Sequence, residues 1–407
     1  MNRMMNNIWQ ACIAVIFLSC FGHADIYASS ADSCSTRATH SLGIELRPAW
    51  VVPTNDYFRK YGPGENIKAA LSPHIKYGFQ FAPDTHYGRL YPHARQGAGL
   101  SYTQFFNKTS LGHPVTLYIF QSNRLAHLSD RLSLDYEWNF GVSSGWKKFN
   151  VEWNMADGPV GSKVNAYLNL GIILNYRLSP QCTLTAGVEG SHYSNGNTHL
   201  PNSGINTLGA RIGVSYLLGI PSGQQDLPPL PIPEVEKGFS YDLTVYGATR
   251  QRTCTTYIEG EPSEEEYVPG SFGVAGLNFA PMYTLSRYWR VGLSADFQYD
   301  ESANISQHRV DGSYGDDIKF YRQPFKERFS AGLSVRAELT MPIFSINFGI
   351  GRNVIATGRD TSIFYQTLSL KAYVIKNAYI NIGYQLRDFH LPNNLMLGVG
   401  YSFGLKR

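Results

Sequence analysis

Charged residues and long apolar runs are both scarce in this chain. Only 16% of its 407 residues are charged, against about 25% in an average soluble domain. Scarce charge and an aromatic content of 14% argue against a disordered chain. Beyond the N-terminus there is no uninterrupted apolar stretch of about 18 residues, so we expect no transmembrane helix. Glycine occurs 39 times and tyrosine 27 times, a composition typical of an all-β protein.

Cysteines and clusters of basic residues are scarce as well. Of the five cysteines, two lie in the N-terminal apolar segment, and Cys34, Cys182 and Cys254 remain. Their odd number and wide spacing indicate neither a disulfide framework nor a set of metal ligands. Lysine and arginine are scattered, although the net charge is +4, so nothing indicates a nucleic-acid partner. We expect no metal, no cofactor and no nucleic acid.

The first 24 residues have the pattern of a secretory signal peptide. Arg3 supplies positive charge, residues 11–21 form an apolar core too short to span a bilayer, and Gly22-His-Ala24 offers a small-x-small cleavage site. Lipoprotein processing at Cys20 is a weaker alternative. The mature protein is therefore expected to begin at residue 25 and to lie outside the cytoplasm.

Segments with alternating apolar and polar residues recur through the mature chain. Five in the second half are Val291–Tyr299, Ala331–Leu339, Phe344–Ile350, Ala378–Leu386 and Leu395–Leu405. This alternation predicts strands with one apolar face. The other face carries glycine, serine and isolated charges, which suits a crowded barrel interior better than a solvated exterior. Strands of about 9 to 12 residues with aromatic ends are typical of a membrane barrel.

About eight candidate strands lie on either side of residues 220–237, where five prolines indicate an extended linker. Both halves place an alternating strand before the tetrapeptide His-Leu-Pro-Asn, at His199–Asn202 and at His390–Asn393, and a last strand after it. The halves therefore resemble repeats. The sequence predicts an antiparallel transmembrane β-barrel, preferably two tandem eight-stranded barrels at residues 25–219 and 238–407, or else one 16-stranded barrel.

One polar set lies on the apolar face of the last two strands of the first half. His192 and Ser194 have the same parity as Leu184, and Asn206 has the same parity as Leu208 on the returning strand. All three side chains are therefore expected to point out of the barrel, toward lipid. With both barrel ends in the periplasm, this patch would face the outer leaflet.

Such a set could hydrolyse an ester. Histidine can act as general base for a neighbouring serine, which then attacks an ester carbonyl. Asn195, Asn202 or backbone N–H groups of the 195–205 loop could stabilise the oxyanion that forms.

The segment from His192 to Asn206 resembles the active-site segment of the lipid A 3-O-deacylases of the PagL type, which are acyloxyacyl hydrolases. The shared pattern is His-x-Ser-Asn, then Pro-Asn, then Gly, then an acid. The resemblance implies an eight-stranded outer-membrane barrel that removes the ester-linked 3-O acyl chain of lipid A. It also implies Ser194 as nucleophile, His192 as base and Asn202 as oxyanion donor. The family has glutamate where this chain has Asn206, whose amide can orient histidine but carries no charge. Glu189 is close in sequence but points inward by parity.

Two functions remain open on the sequence. The first is an outer-membrane serine esterase acting on lipid A or a related outer-leaflet glycolipid, which the intact His-x-Ser-Asn and Pro-Asn elements favour. The second is a non-catalytic barrel with a relict site, either a structural or interaction protein or a narrow pore, which Asn206 favours. Because the second half has no His-x-Ser motif, we predict that it is catalytically silent.

Overall fold

The computed structural model describes residues 38–107, 110–148, 159–218, 231–258, 261–313, 317–389 and 391–406. The chain divides into two compact units, one made of residues 1–195 and 201–233 and the other of residues 196–200 and 234–407. Each unit is built on a closed antiparallel barrel of eight strands. The tandem arrangement predicted from the sequence is therefore confirmed, and the alternative of one 16-stranded barrel is wrong.

The first barrel closes because its first strand pairs with both the second and the eighth. Its strands are β1 (Ala38–Val52), β2 (Ala69–Phe81), β3 (Arg95–Tyr102), β4 (Gly112–Ser129), β5 (Leu132–Trp146), β6 (Val164–Arg177), β7 (Cys182–Ser194) and β8 (Ile205–Leu218). A short helix, α1 (His86–Leu90), lies between β2 and β3.

The second barrel closes in the same way, because its first strand pairs with β12 and with the last strand of the chain. Its strands are β9 (Phe239–Arg250), β12 (Phe272–Thr284), β13 (Trp289–Asp300), β14 (Phe329–Thr340), β15 (Phe344–Ile355), β16 (Phe364–Ile375), β17 (Ala378–Arg387) and β18 (Leu391–Phe403). A separate hairpin of β10 (Thr253–Ile258) and β11 (Glu261–Tyr267) follows β9. The loop before β14 contains a 3₁₀ turn at Ile305–His308 and the one-turn helix α2 (Phe325–Arg328).

The five segments chosen from the second half all fall on strands, namely β13, β14, β15, β17 and β18. The two His-Leu-Pro-Asn tetrapeptides differ in setting. In the first barrel the tetrapeptide lies in the loop between β7 and β8, whereas in the second Leu391 already begins β18. Asp388 and Phe389, both with positive φ, make the tight turn before it. In the part of the chain that the structure describes, no helix is long and apolar enough to cross a membrane.

The apolar faces of the strands point outward, as the pattern of small and charged residues on the other face predicts. On β7 and β8 Val188 is 62% exposed and Ile212 57% exposed, while Glu189 and Arg211 are buried in the interior. At the end of the chain, Tyr401 and Phe403 are likewise exposed. Because successive side chains of a strand point to opposite sides, an exposed apolar stripe on every other residue is a lipid-facing wall.

Charged side chains of both signs fill the middle of the first barrel. They number three acids and three bases, and each side chain is at most 9% exposed: Glu45, Arg47, Lys76, Glu137, Glu189 and Arg211. Arg211 contacts Glu137 at 2.5 Å and Glu189 at 2.6 Å. An eight-stranded barrel is just wide enough to be filled by side chains, and pairing offsets the large cost of burying each charge.

The second barrel has its own buried network. Arg290 contacts Asp242 at 2.9 Å and Glu338 at 2.6 Å, and Lys371 contacts the same two acids at 2.6 and 2.5 Å. Both interiors are thus packed with balanced charge.

Several sequence predictions fall on residues outside the described ranges. These are the signal peptide, Cys34, residues 220–230 of the proposed linker, and His390. Cys182 and Cys254, which are described, are both free thiols.

Candidate active site

His192 and Asn206 lie directly opposite each other on neighbouring strands. β7 and β8 pair in a register that sets His192 against Asn206, and directly opposed side chains on one face lie about 5 Å apart at Cβ. The imidazole Nδ1 and the amide Oδ1 are 2.7 Å apart. Since the acceptor is a carbonyl oxygen, Nδ1 is the protonated nitrogen, and Nε2 keeps its lone pair.

Ser194 is the last residue of β7 and lies on the same face as His192. On the neighbouring strand β6, Ala166 lies opposite Ser194 and Leu168 lies opposite His192. Small and apolar side chains therefore border the pair. In the part of the chain that the structure describes, no hydrogen bond joins Ser194 to His192. In enzymes that pair a serine with a histidine base, this contact is often loose without substrate and tightens when substrate binds.

Aromatic packing inside the barrel supports the strand behind this pair. Tyr193 points inward between the two polar residues and is 4% exposed. Its ring centroid lies 5.0 Å from that of Tyr167 and 5.1 Å from that of Trp146. Because a packed side chain on one face fixes the backbone that carries the other, this cluster holds the outward pair in place.

The loop after β1 contacts the same site, which sequence reasoning missed. Asn206 donates from Nδ2 to Thr54 Oγ1 at 2.7 Å. The next residue, Asn55, donates to the carbonyl oxygen of Gly204 at 2.8 Å and to that of Ser203 at 3.3 Å. The contact follows from barrel closure, because β1 pairs with β8 as far as Val52 opposite Asn206. No local pattern around Thr54 could have indicated it.

Gly204 lies against the imidazole ring. Its φ is +71°, a region that favours glycine, and a Cβ on it would come within 2.8 Å of His192 Cε1. The backbone of the loop thus forms one wall of the histidine site, and no side chain fits there without moving the ring.

Asn195 and Asn202, predicted as oxyanion donors, are brought together at the two ends of the loop. The backbone N–H of Asn195 donates to Asn202 Oδ1 at 2.9 Å. Asn202 also forms a β-bridge with Val160, and Pro201 accepts a bond from Gly161 N–H at 2.6 Å. The two asparagines therefore brace the loop, and the amide oxygen of Asn202 is used in doing so.

Glu189 points into the lumen, as its parity predicts, and its carboxylate lies 2.6 Å from Arg211 and 3.2 Å from Arg47. It therefore does not reach the outward face. Among the described residues, no group of three or more His, Cys, Asp or Glu side chains is placed to hold a metal ion.

The strand architecture and the outward-facing polar site define a β-barrel protein of the bacterial outer membrane. Comparison with family models matches residues 64–215 to the lipid A 3-O-deacylase (PagL) family. Residues 239–406 match the C-terminal domain of acyloxyacyl hydrolase. The first barrel therefore matches a lipid A 3-O-deacylase (PagL) domain and the second an acyloxyacyl hydrolase C-terminal domain, both from hydrolase families.

Comparison with solved structures finds β-barrels of low similarity. Neisserial surface protein A is 11% identical over 44% of this chain and 97% of its own, with a TM-score of 0.31. The outer membrane enzyme PagL is 14% identical over 42% of this chain and 97% of its own, with a TM-score of 0.27. These TM-scores are too low to bear on the fold or function of this chain. No curated protein matches it.

Proposed function

We propose that the first barrel is a serine esterase that removes the 3-O acyl chain from lipid A in the outer leaflet. The observation that carries this proposal is the 2.7 Å contact between His192 Nδ1 and Asn206 Oδ1 on the lipid-facing wall, beside Ser194. A polar set of this kind is costly in lipid, and all three residues belong to the segment that resembles the family's active site.

The contact prepares the histidine to act as a base. With its proton on Nδ1, His192 can accept the Ser194 hydroxyl proton at Nε2 while Ser194 Oγ attacks the ester carbonyl. The imidazolium then returns the proton to the departing 3-hydroxyl of the sugar, which leaves an acyl group on Ser194. Water, activated by the same nitrogen, hydrolyses this acyl-serine and restores the enzyme.

The loop between β7 and β8 would stabilise the oxyanion. Asn202 accepts the Asn195 N–H at its Oδ1. The oxyanion donor that we propose is the Nδ2 group of the same amide. Removing one such donor typically costs about 10²- to 10³-fold in rate. Donors on this loop lie at the same end of β7 as Ser194.

The proposed site lies on the lipid-facing wall of the barrel, which is where the acyl chains of lipid A would lie. Leu208 and Val188, on the wall below the site, are 57% and 62% exposed, so an acyl chain can lie along the barrel while its ester meets Ser194. Lipid A would thus reach the site while it remains in the membrane.

The test is mass spectrometry of lipid A from cells that express the protein. We expect loss of one ester-linked hydroxyacyl chain with the wild type and no loss with Ser194→Ala or His192→Gln. The matched control is Ser191→Ala, which removes a hydroxyl from the lumen side of the same strand. Unchanged lipid A from correctly folded wild-type protein would favour the non-catalytic barrel instead.

A further inference from the structure

A polar cavity of about 80 Å³ lies inside the first barrel, at the end away from the candidate active site. Ser194 ends β7, whereas the cavity is lined by residues near the start of β1, β3 and β7 and near the end of β2, β4 and β6. These include Ser41, Arg95, Thr185, Gln80, Arg124 and Asn175. In the orientation that turns Ser194 to the outer leaflet, the cavity therefore lies at the periplasmic end.

Packed side chains separate this cavity from the other end of the barrel. Phe105, Leu111, Trp146, Tyr167 and Tyr193 belong to one buried apolar cluster, and none of them is more than 4% exposed. The network of three acids and three bases lies between this cluster and the cavity. A solute would therefore reach the cavity from the periplasm.

Two acids of that central network also line the cavity, but bases already compensate them. Glu45 lies 2.5 Å from Arg47 and 2.9 Å from Lys76. Glu137 lies 2.7 Å from Lys76 and 2.5 Å from Arg211. Their carboxylates are thus held by fixed cations, and the central network adds no net charge to the cavity.

Outside the network, the cavity is lined by two arginines and one acid. Arg124 Nε lies 3.4 Å from Asp135 Oδ1, and the other oxygen of this carboxylate accepts a hydrogen bond from Asn175 at 2.9 Å. Among the described residues, no hydrogen bond or ion pair reaches the guanidinium of Arg95. One positive charge is therefore left without a counter-ion, and a charge in a protein interior is costly when it is unpaired.

The two arginines lie close together on the wall of the cavity. Arg95 pairs with Ser122 on β4, and Arg124 is the next residue of β4 on the same face. Gly78 leaves space for the stem of Arg95, because a Cβ there would lie 3.3 Å from Arg95 Cδ. Since one water needs about 10–15 Å³, the cavity has room for about five heavy atoms, the size of a phosphate or sulfate ion.

We propose that this cavity binds a small oxyanion from the periplasm, of the size of phosphate or sulfate, between Arg95 and Arg124. A guanidinium presents parallel N–H groups that match the oxygens of such an ion. The bound ion supplies the negative charge that the lining residues lack. This site is separate from the lipid-facing wall and does not depend on the esterase chemistry.

The experiment is a titration of full-length protein in non-ionic detergent with inorganic phosphate, with chloride keeping the ionic strength constant. Calorimetry measures binding, and the thermal unfolding midpoint is followed alongside. We expect saturable binding and a rising midpoint in the wild type. Arg95→Gln should bind phosphate at least tenfold more weakly, because it removes a charge-assisted pair. The matched control is Arg131→Gln, in the exposed turn between β4 and β5, which should bind like the wild type.

A second readout separates a binding role of Arg95 from a structural one. Without phosphate, Arg95→Gln should unfold at the wild-type temperature or above it, because it removes an unpaired charge and keeps the side chain as far as Cδ. A lower midpoint would mean that Arg95 stabilises the barrel without a ligand, and it would overturn the proposal. Absence of phosphate binding to the wild type, or equal binding to Arg95→Gln, would overturn it too.

Discussion

The contact between Gly204 and His192 allows the geometry of the site to be tested by one added methyl group. In Gly204→Ala the new Cβ would lie 2.8 Å from His192 Cε1, whereas ordinary contact begins at 3.4 Å. The ring must therefore retreat by about 0.6 Å, or the loop must move. In addition, alanine at a φ of +71° costs about 1 kcal/mol of backbone strain.

The expected loss of activity follows from this displacement. A misplacement of about 1 Å costs about 10²-fold in rate, so we expect Gly204→Ala to deacylate lipid A about 10- to 100-fold more slowly. The barrel should remain intact, because the substitution lies in a loop and its strain is small against the stability of eight paired strands.

The assay is the initial rate of lipid A deacylation by purified protein in detergent, with the thermal unfolding midpoint measured alongside. Gly190→Ala is the matched control, because its added Cβ has no atom closer than Thr207 O at 3.8 Å. Wild-type activity in Gly204→Ala would refute the claim that the loop backbone fixes the imidazole. Equal losses in the two variants would also refute it.

The remaining predictions concern charge. Asn206→Asp keeps the length of the side chain, and Asn206→Glu introduces the family's residue. Both should raise the deacylation rate about tenfold or more, because a carboxylate stabilises the imidazolium that an amide only orients. An unchanged or lower rate in both variants would show that the missing charge does not limit turnover. Glu189→Gln should lower the free energy of unfolding of the first barrel by about 3 kcal/mol, because it leaves buried arginines with one carboxylate fewer, and equilibrium unfolding in urea measures this. Its activity per folded molecule should stay at the wild-type value, and a large loss there would mean that Glu189 takes part in catalysis after all.

Strand parity could be worked out from the sequence because it is a local property. Every second residue is apolar along β7 from Leu184 to Val188 and along β8 from Leu208 to Leu218. The direction of His192, Ser194 and Asn206, which continue the same parity, follows once the lipid-facing side is known. That side could be identified because the opposite residues are small or carry isolated charges, which a solvated surface would not have. For the same reason the inward direction of Glu189 and Tyr193 follows from the pattern.

Barrel closure and loop contacts were decided only by the tertiary structure. The strands of an eight-stranded barrel and those of a 16-stranded barrel show the same alternation of apolar and polar residues. The pairing of β1 with β8 and of β9 with β18 therefore cannot be derived from this alternation. That closure brings Thr54 and Asn55 beside a site about 150 residues away in sequence, where no pattern around them indicates a role. Alternation fixes which way a side chain points, whereas strand pairing fixes what it meets.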